Sequence, residues 1–155
     1  MFYQYSAPLL DCYLLLELDG LAIQSLQMLD QEDYPRIKKD HPASLWLDDF
    51  FQGKRPSLNT LELKLQGTPF QKRIWYLLST IPYGKRISYS QLAQLYQKSY
   101  HKKTSARACG RAVGSNPIAI MIPCHRVVAK DGSLCGYKYG LDKKKKLLDW
   151  EKDNS

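Results

Sequence analysis

The chain has 155 residues, 44% of them hydrophobic and 25% charged, ordinary proportions for a soluble globular protein. That length suits one domain or two small ones and buries a core without disulfide staples. No apolar run approaches the roughly 20 residues needed to span a bilayer, and "MFYQYSAPLLDC" lacks the basic start and long apolar stretch of a signal peptide. The expected location is the cytosol, nucleoid-associated, or the nucleus in a eukaryote, with no membrane partner. Cys12, Cys109, Cys124 and Cys135 form no CxxC pair and are expected as free thiols in a reducing compartment. The net charge of +8 favours an anionic partner, most commonly nucleic acid, although a merely basic protein fits it equally well.

Taken in order, "YLLLELDGLAIQSLQML" predicts a hairpin with Asp19-Gly20 as its turn. "DHPASLWLDDFFQG" predicts a short helix started by Asp40 or His41, with Pro42 in the first turn and Gly53 as the stop. "LELKL", Leu61 to Leu65, alternates like a strand. These elements make a small α/β unit, and "GKRPSLNT" reads as the connection out of it. Helices follow. In "TPFQKRIWYLLSTIP", Thr68 is the N-cap, Pro69 the first helical residue and Gln71 the partner in a capping box. Phe70, Ile74, Leu77, Leu78 and Ile81 share one face. "SYSQLAQLYQ" repeats the device with Ser88 and Gln91, and Leu92, Leu95 and Tyr96 supply its apolar stripe. "TSARACGRAVGSNP" is capped by Thr104 or Ser105 and ends at Gly114 with Asn116-Pro117. This consecutive helix pair points to a helix-turn-helix. "DKKKKLLDWE" is the last helix, with Asp142 as its cap.

The second helix of the pair alternates Ala106, Ala108, Gly110, Ala112 and Gly114 with larger residues. A glycine inside a helix costs about 1 kcal/mol against alanine, so something should compensate. Tight packing against another helix is one explanation, and close approach to a DNA groove is the other. Arg107 and Arg111 lie four apart on one face, which favours DNA. Lys143 to Lys146 occupy a first helical turn, where the dipole disfavours cations. They read as a solvated face or as phosphate contacts.

"IPCHRVV" sets Cys124 directly against His125. Three readings stand: a buried structural thiol, a zinc ligand with Cys109 and Cys135, and a nucleophile. The spacings do not match metal-ligand loops. Adjacent side chains diverge, so a base at His125 would reach the thiol through a water. Asp131, Asp142, Asp149, Glu151 and Asp153 are all candidates to orient that histidine, and spacing does not choose among them.

These motifs together resemble the O6-alkylguanine-DNA alkyltransferases, also called methylated-DNA–protein-cysteine methyltransferases. "GTPFQKRIW", "IPYGKRISYSQLA", "ARACGRAVGSNP", "IPCHRVV", "GYKYG" and "LLDWE" resemble that family's blocks in the family's order, from Gly67 to Glu151. The resemblance implies a ribonuclease-H-like α/β domain over residues 1–64. A mostly helical domain with a winged-helix-like helix-turn-helix follows over residues 65–155. It implies suicide repair of O6-methylguanine, and of O4-methylthymine, in double-stranded DNA bound through its minor groove. The damaged base is flipped into a pocket. No cofactor is implied, and a monomer is expected, with cooperative binding along DNA left open.

The roles carry over by position. Cys124 matches the alkyl acceptor, His125 the base acting through a water, and Glu151 the carboxylate that orients it. Tyr89 matches the tyrosine that donates to the guanine ring. Arg107 matches the arginine that fills the space left by the flipped base, and Asn116 ties the recognition helix to the active-site loop. Ser105, Ala106, Gly110 and Arg111 are further DNA-contact candidates, and Tyr137, Lys138 and Tyr139 belong to the pocket loop. Cys109 stands where valine is commoner and reads as a small core residue. Lys138 and Tyr139 are large for a pocket rim, which predicts a preference for methyl over benzyl lesions. "YQKSYHKKTS" is longer and more basic than a minimal turn, a place for phosphate contacts. Only Cys12 and His41 are available to a zinc site in the first unit, so no metal is expected. Two other functions compete: a non-catalytic relative, which would carry tryptophan in place of Cys124, and a helix-turn-helix regulator, which would leave Cys124, His125 and Glu151 unexplained.

Overall fold

A computed structural model describes all residues from Met1 to Ser155. They fall into two compact units. One comprises Met1–Gln66 with Pro117–Ala119 and Asn154, and the other Gly67–Asn116 with Ile120–Asp153 and Ser155.

The first unit is built on a four-stranded sheet in the order β1-β2-β3-β4. β1 (Phe2–Ala7), β2 (Cys12–Asp19) and β3 (Ala22–Leu29) form an antiparallel meander, and β4 (Glu62–Leu63) runs parallel to β3. Asp19 pairs with Ala22, so the hairpin loop is Gly20-Leu21, one residue later than expected. Gly20 takes the loop position whose φ is +60°, which an L side chain would strain. β1 escaped the sequence reading because Gln4 occupies an inward position. Its buried side chain accepts from the Asp33 and Tyr34 amides at 3.1 and 3.0 Å. The strand expected over Leu61 to Leu65 is only two residues long. Ile118 forms a bridge with Leu26 of β3, so residues from late in the chain belong to this unit. α1 (Pro42–Phe51) is capped by His41, whose Nδ1 accepts from the Ala43 amide at 3.1 Å, and buries Ala43, Trp46, Leu47 and Phe50.

The second unit is helical. α2 (Pro69–Ser79) and α3 (Tyr89–Tyr100) begin with complete capping boxes, Thr68 with Gln71 and Ser88 with Gln91. Each box satisfies two otherwise free amides and fixes the start of its helix. α4 (Ala106–Gly114) is capped by Ser105, which accepts from the Ala108 amide at 3.0 Å. Trp75 of α2 donates to the Ala112 carbonyl at 2.9 Å and locks α2 to α4. β5 (Ile87–Ser88) pairs in parallel with β6 (Val127–Val128). α5 (Leu141–Asp153) starts before Asp142, which therefore lies in the first turn and pairs with Lys146 at 3.2 Å instead of capping. No helix is long and apolar enough to cross a membrane.

Candidate active site

The stretch Ile120 to Val128 is buried throughout. It is apolar enough to stay inside, and it carries a thiol, an imidazole and a guanidinium inward with it. Ile120 adopts φ +69°, a region that β-branched residues avoid and one that commonly marks strain near functional sites. Cys124–Arg126 then form a short 3-10 turn.

Glu151 reaches His125 from α5. His125 Nε2 lies 2.9 Å from Glu151 Oε2, and both side chains are buried. Arg126 forks onto the same carboxylate, Nε to Oε1 at 2.8 Å and Nη2 to Oε2 at 2.7 Å, while Nη1 donates to the Ile81 carbonyl at 2.7 Å. Burial alone would raise the Glu151 pKa, but the His125 contact and the Arg126 fork outweigh it and hold it at about 2. Glu151 is thus ionised at neutral pH. Burial lowers the His125 pKa against the pull of Glu151, so the ring is neutral at neutral pH. With Nε2–H given to Glu151, Nδ1 is the basic nitrogen, and it is buried with no hydrogen-bond partner.

Burial raises the pKa of the Cys124 thiol. A hydrogen bond from the Asn116 side chain and the charge of Lys144 act the other way. Asn116 also donates through Nδ2 to the Ile122 carbonyl at 2.8 Å, so the residue after α4 holds the loop that presents the thiol.

Lys144 was not visible as a site residue in the lysine run. It lies neither on a solvated face nor against solvent-side phosphates. It is fully buried, and its Nζ donates to the Val127, Cys135 and Gly136 carbonyls at 2.6, 2.8 and 3.5 Å. Burial lowers its pKa while the Cys135 and Cys124 sulfurs raise it. The signal was present in the helix period: Lys144, Leu147, Leu148 and Glu151 are α5's buried residues, spaced i, i+3, i+4 and i+7. Arg126 is a second such site residue, and no sequence pattern singles it out.

Tyr89, at the start of α3, reaches the loop before α5, where its hydroxyl donates to the Cys135 carbonyl at 3.4 Å. Burial is the main cause that pushes its pKa up to about 12, so it remains a donor. Gly136, at φ +58°, has the Tyr89 hydroxyl 3.4 Å from where its Cβ would stand. In the same loop the Tyr137 and Tyr139 rings meet edge to face at 5.7 Å, and the exposed Lys138 lies 5.8 Å from the Tyr139 ring centre. On α4, Cys109, Ala112 and Val113 face inward, whereas Arg107 and Arg111 are exposed and Ala106 and Gly110 half-buried. The Ser105 hydroxyl oxygen accepts the capping bond from the Ala108 amide, and its O–H stays available to donate. A Cβ at Gly110 would make ordinary contact with Tyr89 at 3.6 Å, and one at Gly114 would meet nothing within 4 Å. Internal packing therefore demands neither glycine. Cys124, His125, Arg126, Glu151, Asn116, Lys144 and Tyr89 form one connected region, while Arg107 and Arg111 stand on the outer face of α4.

The same arrangement of elements is found in the Mycobacterium tuberculosis O6-methylguanine methyltransferase. Its crystal structure superposes with a TM-score of 0.82 at 34% identity, covering 99% of this chain and 93% of that one. A structure of the M. tuberculosis protein in complex with DNA gives a TM-score of 0.84 at 35% identity, covering 99% and 94%. In sequence, the chain is 41% identical over 123 residues to a probable methylated-DNA–protein-cysteine methyltransferase of Acanthamoeba polyphaga mimivirus, covering 79% of each. It is 40% identical over 129 residues to the Shigella flexneri methylated-DNA–protein-cysteine methyltransferase, covering 79% of this chain and 73% of that one. Residues 69–153 match the family described as 6-O-methylguanine DNA methyltransferase, DNA binding domain. The chain belongs to the methylated-DNA–protein-cysteine methyltransferase family.

Proposed function

We propose that this chain repairs O6-methylguanine in double-stranded DNA by taking the methyl group onto Cys124, once per molecule. The observation that carries the reading is the polar set buried about Cys124: Glu151 fixed as an anion, His125 neutral with Nδ1 unpartnered, and Asn116 and Lys144 favouring the thiolate against the burial that opposes it. A water between the thiol and His125 Nδ1 carries the cysteine proton to the ring, and Glu151 stabilises the imidazolium that results. The sulfur attacks the methyl carbon in line. The S–C bond forms as the C–O bond breaks, and the guanine leaves with the oxygen's electron pair. Tyr89 donates to a ring nitrogen and offsets that charge as it develops. The product thioether has no route back, because no group here hydrolyses an S–C bond.

DNA is bound through α4 in the minor groove, with the chain as a monomer. The two glycines that packing does not require support this, since a helix with little side-chain bulk approaches a narrow groove closely. Arg107 enters the stack in place of the flipped guanine, and Arg111, Ser105 and Ala106 flank it. Asn116 couples that helix to the thiol loop. The Tyr137–Tyr139 pair with Lys138 narrows the pocket, which favours methyl over benzyl groups. The test is intact mass after incubation with duplex DNA carrying O6-methylguanine. A single added methyl mapped to Cys124, and lost in Cys124→Ala, is expected. Methylation elsewhere, or DNA demethylated without a modified protein, would overturn the reading.

A further inference from the structure

The proposed chemistry does not use the link between α3 and α4. α3 ends at His101, whose left-handed backbone (φ +56°) stops the helix while its amide bonds the Gln97 carbonyl at 2.8 Å. Lys102 and Lys103 follow, and then Thr104, which hydrogen-bonds the Cys109 thiol, and Ser105, which caps α4. The link is thus tied down at both ends. Its α3 side is braced as well. Arg73 of α2 lies 4.8 Å from the Tyr100 ring centre and donates to the Tyr96 hydroxyl at 3.4 Å, and Phe70 meets Tyr96 edge to face at 5.0 Å.

This ordered strap presents Lys98, Lys102 and Lys103 to solvent. None of the three takes part in an ion pair. No acidic residue occurs anywhere between Glu62 and Asp131 to offset them. Exposed lysines ordinarily alternate with acids, and an uncompensated cluster raises self-repulsion unless an anion neutralises it. The cluster leads directly into the N-terminus of α4, so it is continuous with the proposed DNA-binding face.

We infer that the α3–α4 strap is a second DNA contact that grips the phosphodiester backbone beside the lesion's minor groove, through Lys102 and Lys103 with Lys98 in support. It rests on the reading of α4 as the groove-binding helix. Its contribution is independent of base and of damage, so it would hold the protein on undamaged duplex while lesions are sought. Each phosphate contact adds about 0.9 to the slope of log affinity against log salt.

The experiment measures binding of the full chain to undamaged duplex by fluorescence anisotropy across a salt series. The double variant Lys102→Gln/Lys103→Gln is compared with the unaltered chain and with Lys102→Arg/Lys103→Arg. The glutamine variant should bind more weakly at low salt, and that gap should close roughly tenfold between about 50 and 200 mM salt. The arginine variant should keep the original slope. No gap, a gap that salt leaves unchanged, or an equal loss in the arginine variant would overturn the inference. Failure of the proposed repair reaction appears separately, as an unaltered chain that binds duplex with a salt-dependent slope but never gains a methyl group.

Discussion

The two units carry charge in opposite senses. In the first, acidic residues outnumber basic ones by ten to six, a net of −4, and in the second, basic residues outnumber acidic ones by seventeen to five, a net of +12. The contrast extends inside. The first unit buries only Gln4 and Ser44 among its polar side chains, whereas the second buries His125, Arg126, Lys144 and Glu151 together. Apolar burial is sufficient to hold a sheet and a helix together. A buried network of ionic groups is an expensive way to hold a fold, because desolvation offsets much of the attraction. Its presence in one unit alone fits the chemistry proposed there, and the external positive charge fits an anionic partner.

Removing one ionic partner from each unit tests that contrast, and the largest difference is expected here. Glu151→Gln leaves Arg126 and His125 buried against a neutral amide, and it should destabilise the protein by about 3–5 kcal/mol in denaturant unfolding. Lys64→Ala removes the exposed pair with Asp19, 2.9 Å long, and should leave the unfolding midpoint nearly unchanged, because solvent screens such a pair. Equal effects would erase the distinction. The same carboxylate gives a pH signature. Its folded pKa of about 2 lies below the ordinary 4.5, so its stabilisation is complete above pH 4.5 and lost as pH falls toward 2. Acid unfolding should therefore steepen in that window for the unaltered chain and flatten in Glu151→Gln.

A smaller effect is expected at the surface of α4. Arg107→Ala should slow repair in duplex DNA at least tenfold more than reaction with the free methylated base, measured as single-turnover rates. Equal losses would remove its place in the stack. Smaller again is Gly110→Ala, which should raise stability by up to about 1 kcal/mol while weakening duplex binding. If binding is untouched, the space at Gly110 is not used by DNA.

Much of this was legible in the sequence because local signals repeat there. Thr68 with Gln71 and Ser88 with Gln91 announce two helix starts, Thr104 or Ser105 a third (the cap is Ser105), and the small residues of α4 with Arg107 mark the helix as unusual. What stayed hidden needed tertiary context. β1 is masked by a buried glutamine whose partners lie about 30 residues away, and β5 and β6 are two-residue strands with no period to read. Lys144 looked like one of four equivalent lysines, and only its register with Leu147, Leu148 and Glu151 separates it from its solvent-facing neighbours. Cys124 offered three readings from its own surroundings. The geometry adds why a thiol among apolar residues differs from a packed one: an anchored carboxylate, a neutral imidazole and a lysine converge on its surroundings.

In the proposed reaction Cys124 accepts a single methyl group and is then spent. This is tested most directly by counting methyl groups lost from a large excess of O6-methylguanine duplex per molecule of protein over time. The count should reach a plateau at one, with every protein molecule then carrying its methyl on Cys124. Continued demethylation past that plateau would contradict it.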